Sequence, residues 1–181
     1  MLPSATYRAG DFVDAAAKLG AEVVVGSEHR QALSESMGDR SVVLSLRQPL
    51  RAADQVARLA ERAPLDAVVA VDDGGTRVAA FVAERLGLRG NTPEAVERTR
   101  DKAAMRAAFA AAGVPQPAYC VAHTGEDVAE LAARLGPPVV VKPLSLSMSR
   151  GVIRADDPEA AAEAALQVRS ILAAADEDPA Q

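Results

Sequence analysis

Short unbroken apolar runs separated by helical stretches constrain this chain more than any other feature. Ala21-Glu-Val-Val-Val25, Ser41-Val-Val-Leu-Ser-Leu46 and Asp66-Ala-Val-Val-Ala-Val71 read as strands of a sheet covered on both faces, because a solvated face would impose strict apolar/polar alternation. Helices are predicted over residues 12–19, about 53–62 and 77–86, the last closed by Gly87. That rhythm specifies an α/β fold built on an open, doubly wound parallel sheet. Functional groups in such sheets gather beyond the carboxyl ends of the strands, which is where Asp72, Asp73 and Thr76 fall. Their simplest role is to cap the helix that follows.

The segment Asn91-Thr-Pro-Glu94 marks a boundary: Thr92 can cap, Pro93 suits a first helical position and Glu94 favours the positive helix end. A short helix to about residue 99 leads into a longer one. Asp101 is placed to cap the second helix, Gly113 to close it in a left-handed turn, and Pro115 to block continuation. Met105, Ala108, Phe109 and Ala112 share one apolar face. Lys102 then stands in the first turn, against the dipole preference, where an anion docked at the helix end would stabilise it. Balance by Asp101 and Glu97 is the plainer explanation.

A strand over residues 118–122, a helix over 125–135, strands at 139–142 and 151–155 and a helix over 158–173 complete the pattern. Val139-Val-Val-Lys142 ends at Pro143, whose nitrogen cannot donate to a ladder. Between these strands Ser145, Ser147 and Ser149 leave hydroxyls and backbone N–H groups accessible to phosphate oxygens, with Lys142 and Arg150 adding charge at either end and Gly151 opening the next strand. A lysine followed by a serine-rich hairpin is also a common solvated surface.

These motifs, in order and spacing, resemble the ATP-grasp carboxylate–amine (or carboxylate–thiol) ligases, in particular the group of biotin carboxylase and carbamoyl-phosphate synthetase. The resemblance rests on Arg100-Asp-Lys-Ala-Ala-Met-Arg106, Ala112-Gly-Val-Pro-Gln-Pro117 and Val139-Val-Val-Lys-Pro followed by Ser-Arg-Gly-Val152. It implies that Lys102 and Lys142 reach the phosphates of ATP, that the loop from Ser145 to Gly151 closes over them, and that Asp72 and Asp73 lie on the acceptor-substrate side. It implies a preATP-grasp, Rossmann-like domain over 1–91, linking helices over 92–116, an α+β lid over 117–173 and a disordered tail over 174–181. Met148 departs from the pattern, which is richer in glycine. In relatives an apolar strand precedes the Leu2-Pro3-Ser-Ala-Thr-Tyr7-Arg8 segment, while the metal ligands and the adenine hinge follow the lid. The expectation is therefore an incomplete ATP-grasp fold, the N-terminal part of a ligase that acts through an acyl-phosphate and is inactive alone. ATP and an unidentified carboxylate are its expected ligands, with Mg2+ in the complete enzyme. A homodimer or a complementary C-terminal chain is its expected partner. The alternative is a noncatalytic nucleotide-binding module or split-enzyme subunit.

Composition narrows the remaining classes. About half of the 181 residues are apolar, enough to bury a core. No run approaches the roughly 18 apolar residues of a membrane span and no signal pattern opens the chain, so a cytoplasmic location is expected. Cys120 is alone and reads as buried filler, and His29 and His123 have no Cys neighbours at zinc-ligand spacing. A net charge of −5 and 3% aromatic residues argue against nucleic acid as a partner. A Rossmann oxidoreductase is disfavoured because no Gly-x-Gly-x-x-Gly follows a strand.

Overall fold

A computed structural model of the chain describes residues 9–28, 40–175, 177 and 178. The segment from Leu2 to Arg8 and His29 lie outside the described residues, as do residues 176 and 179–181 of the expected tail. The chain divides into two compact units, Met1–Glu97 and Arg98–Gln181.

The first unit contains α1 (Ala9–Lys18), β1 (Val25–Ser27), β2 (Ser41–Val43), α2 (Pro49–Ala60) and α3 (Asp73–Leu86); α4 (Pro93–Arg100) spans the boundary. β1 and β2 pair in parallel, with Val25 opposite Ser41 and Ser27 opposite Val43. The ladder is shorter than the apolar runs suggest. Gly20 takes a left-handed φ of 69° and the Ala21 N–H turns back to Ala16 O at 2.9 Å, so Ala21 still closes α1 and pairing begins only at Val25. β2 ends at a turn in which the Gln48 N–H donates to Ser45 O, after which Pro49 starts α2 four residues earlier than the expected position 53.

Residues 66–71 form no strand among the described residues. Val69 is 58% exposed, whereas Val68 and Val71 pack against separate clusters, so this run is only partly covered. The core joins Leu44 to Ala52, Ala53 and Val56 of α2 and to Val78 and Val82 of α3. Full burial of a Leu or Val side chain contributes about 1.5–3 kcal/mol, which makes this cluster the main stabiliser of the unit.

The second unit contains α5 (Lys102–Ala111), α6 (Val128–Leu135), β3 (Val139–Val141), β4 (Ile153–Ala155) and α7 (Pro158–Ala174). β3 and β4 run antiparallel, with Val139 opposite Ala155 and Val141 opposite Ile153. Asp127 caps α6 through the Glu130 N–H and Asp157 caps α7 through the Ala160 N–H, at 3.1 and 2.7 Å. Three alanines, Ala132, Ala155 and Ala161, form the buried cluster against the sheet, flanked by Val128, Val139 and Val141. Gly151, with φ 72°, lies in a turn and delays β4 to Ile153.

Two expectations fail in this unit. Residues 118–122 form no strand: Pro115 and Pro117 lack N–H donors on its approach, and no backbone group of 117–122 has a hydrogen-bond partner among the described residues. Cys120 is accordingly exposed and not buried filler. Among the described residues none of α5 is buried, and Phe109 on its apolar face is 38% exposed.

Candidate functional site

Asp101 fixes where α5 begins. Its carboxylate accepts from the N–H groups of Ala103 and Ala104 at 2.7 and 3.0 Å, satisfying two free donors of the first turn. The other end is closed by Gly113 at φ 67°, with Val114 N–H donating to Phe109 O and Gly113 N–H to Ala110 O. Lys102 is thereby set as the first helical residue.

From that position Lys102 meets the loop that follows β3. Its backbone N–H donates to Leu144 O at 3.1 Å. Its Nζ donates to the carbonyls of Leu144, Ser145 and Leu146 at 3.2, 2.6 and 3.0 Å. An ammonium has three donors, and all are engaged. Burial holds the Lys102 pKa below the usual lysine range; the nearby Lys142 charge lowers it further, while Asp101 opposes both.

Lys102 and Lys142 line one cavity of about 590 Å³ within the second unit. β3, α6, α7 and residues 117–122 supply its apolar wall, including Val139, Val141, Leu131 and Val168. Arg106 and Arg169 add two further cations, and no carboxylate is among the described lining residues. Arg106 is held by Gln116: its guanidinium donates to Gln116 Oε1 at 3.3 Å, and Gln116 Nε2 donates to Arg106 O at 2.9 Å. Lys142 has no hydrogen-bond or ion-pair partner among the described residues. A cationic enclosure backed by apolar side chains raises the local potential for anions.

The loop itself is shaped by left-handed backbone. Leu146, Met148 and Ser149 have φ of 62°, 57° and 58°, a region that costs a non-glycine residue roughly 1–2 kcal/mol. At Gly151, with φ 72°, a Cβ would also approach Pro143 Cδ to 3.1 Å, a tight contact that adds to the backbone preference for glycine. The Met148 side chain is 91% exposed and points outward. Ser147 and Ser149 accept through their carbonyls from the N–H groups of Arg150 and Val152, at 3.2 and 3.3 Å. The Ser145 Oγ is buried without a partner. Of the loop, only Leu144 lines the cavity; Ser145, Ser147, Ser149, Arg150 and Gly151 do not.

Asp72 and Asp73 belong to the first unit. Asp72 caps α3 by accepting from the Gly74 N–H at 2.9 Å, and Asp73 O accepts from Thr76 Oγ1 at 2.8 Å. Sequence reasoning overlooked Arg106 and Arg169 as lining residues. Arg106 was detectable, being one helical turn from Lys102. Arg169 carried no local signal.

Comparison with known proteins agrees with this architecture. Residues 13–90 match the family model of the ATP-grasp N-terminal domain. The chain is 36% identical over 108 residues to alanine–anticapsin ligase of Bacillus subtilis, covering 60% of this chain and 23% of that protein. It is 39% identical over 62 residues to the carbamoyl phosphate synthase large chain of Rubrobacter xylanophilus, covering 33% of this chain and 6% of that one. The crystal structure of L-amino acid ligase from Bacillus licheniformis superposes with a TM-score of 0.68 at 25% identity, covering 94% of this chain and 41% of that one. The fold is also shared with the biotin carboxylase from Campylobacter jejuni, at a TM-score of 0.66 and 19% identity, over 98% of this chain and 43% of that one. The chain thus spans less than a quarter of the length of the curated relatives it matches. No helix among the described residues is long and apolar enough to cross a membrane. Matched domain, relatives and fold converge on one family resemblance: residues 13–90 match the ATP-grasp N-terminal domain, and the chain shares its fold with the biotin carboxylase and the L-amino acid ligase.

Proposed function

We propose that this chain is the phosphate-binding N-terminal part of a cytoplasmic ATP-dependent carboxylate–amine or carboxylate–thiol ligase. In such a reaction the carboxylate oxygen attacks the γ-phosphoryl group, ADP leaves, and the nucleophile then displaces phosphate from the acyl-phosphate. The single observation that carries the reading is that Lys102 and Lys142, 40 positions apart in sequence, line one cavity with no carboxylate among its described lining residues.

Lys142 makes the direct charge-assisted contact with a phosphate oxygen, since its ammonium has no other partner among the described residues. Lys102, Arg106 and Arg169 contribute to the potential that stabilises negative charge on the transferring group. The four cations fit a polyphosphate. They do not fit a magnesium site, and the described residues include no group of three or more His, Cys, Asp or Glu able to hold a metal. Magnesium therefore enters as a companion of the nucleotide, and this part binds without turning over. That same observation favours a noncatalytic or split-subunit role for the chain acting by itself.

Calorimetric titration with ATP and magnesium tests the proposal. A saturable site is expected, weaker than the micromolar substrate range. Tight magnesium-dependent binding would contradict the reading of an incomplete site, and the absence of any saturable heat would remove the nucleotide altogether.

A further inference from the structure

Gln116 stands between two prolines at the exit of α5, and its side chain turns back onto that helix. The residue before a proline is restricted to extended backbone, so Pro117 narrows the directions in which Gln116 can point. Its Oε1 accepts from the Arg106 guanidinium at 3.3 Å, and its Nε2 donates to the Arg106 carbonyl at 2.9 Å. A guanidinium only donates and a carbonyl only accepts, so their shared partner must offer an acceptor and a donor side by side, as an amide does. Glutamate would match the first and oppose the second.

We infer that Gln116 is a positioning residue: it fixes the Arg106 guanidinium at the cavity wall with a neutral acceptor, so the cation is oriented without being discharged. Arg106 has five guanidinium N–H donors, and among the described residues the bond to Gln116 is the one that engages them. None of the four cations lining the cavity forms an ion pair among the described residues. A carboxylate at position 116 would cancel one of those charges, whereas glutamine preserves the field that draws an anion in. The same pair also acts on the backbone. Hydrogen bonds of the turn after α5 stop at Val114 among the described residues, and residues 117–122 line the cavity without any backbone bond of their own. Gln116 therefore ties the start of that wall to the helix that carries Lys102 and Arg106.

That the anion is a polyphosphate rests on the function proposed above; the positioning role is read through Arg106. Pyrophosphate titration of the full chain tests it as a double-mutant cycle with Arg106→Met. Gln116→Met removes the amide and should weaken binding about tenfold, the worth of one charge-assisted hydrogen bond. After Arg106→Met the same change should alter affinity by no more than about twofold, as expected when its effect runs through the lost guanidinium. Gln116→Glu should also bind about tenfold more weakly. Its binding should depend less on salt, because one of four charges is cancelled; a merely structural change would leave the salt dependence as it is. In the ligand-free wild type, the held guanidinium should give resolved, slowly rotating Arg106 Nη NMR signals that merge in Gln116→Met. Equal losses from Gln116→Met in both backgrounds, or a wild-type salt dependence in Gln116→Glu, would overturn the inference, as would merged Arg106 signals in the wild type. Resolved signals that Gln116→Met merges, together with no pyrophosphate binding to the wild type, would leave the positioning role intact and defeat the proposed function.

Discussion

The two units hold themselves together by different means. In the first, Leu44, Val56, Val78 and Val82 interlock between α2 and α3, and surface pairs such as Arg77 with Glu97 at 2.5 Å add little in water. In the second, three alanines pack at the sheet beside the buried Val168 and Leu172 of α7, the sheet has two short strands among the described residues, and a partly buried ammonium ties the loop after β3 to α5. Large branched side chains give the first unit stability that does not depend on a ligand. The second gathers like charges around its cavity and so has more to gain from an anion.

The sharpest way to break this contrast is Leu44→Ala. Leu44 is 1% exposed, and its truncation should cost about 2–5 kcal/mol in denaturant unfolding. Anion binding by the second unit should survive wherever the chain stays folded; loss of both together would show that the units do not behave separately.

Next in size is Lys142→Met. Removing a charged hydrogen-bond donor to phosphate should weaken ATP binding about 10- to 100-fold by calorimetry. The melting temperature without ligand should not change, because Lys142 is exposed and has no partner among the described residues. A parallel loss of stability would mean that Lys142 holds the fold and not the nucleotide.

Asp101→Ala should cost about 1 kcal/mol through loss of the α5 cap. It should also loosen the loop after β3, since the cap fixes the start of the helix that carries Lys102. Unfolding and trypsin cleavage after the exposed Arg150 read these two effects separately.

The pH response follows from the lowered Lys102 pKa. An unfolded chain keeps its proton up to the usual lysine range, so the penalty for burying this ammonium is present at neutral pH and is relieved as pH rises from the folded pKa towards 10.5. Stability of the second unit should therefore gain from this group in the alkaline window, while ATP affinity falls as the charge is lost. Lys102→Met should flatten both trends; an unaltered pH profile would assign them to other groups.

The smallest effect expected is from Met148→Gly. Relief of the left-handed conformation is worth roughly 1 kcal/mol, and the added freedom of glycine in the unfolded chain offsets part of it. A net gain of a few tenths to 1 kcal/mol in thermal unfolding is expected.

Much of this was legible in the sequence where a single residue dictates local geometry. Asp101 and Gly113 mark the ends of α5 because side-chain capping and left-handed φ are local properties. The family resemblance also implied the juxtaposition of Lys102 with the Lys142 loop. Pairing was less legible. Asp66–Val71 and Ala118–Ala122 have strand-like composition but form no strand among the described residues, and composition alone does not name a strand's partner. The hydrogen bonds of Lys102 were invisible for a similar reason: they go to backbone carbonyls, which every residue type carries.

The most direct test is an ATP titration of the isotope-labelled chain followed by amide NMR. Shifts are expected at Lys102, Lys142 and residues 144–151, with Asp72 to Thr76 of the first unit unmoved. Shifts confined to Asp72–Thr76, or none at saturating nucleotide, would contradict the assignment of polyphosphate binding to the second unit.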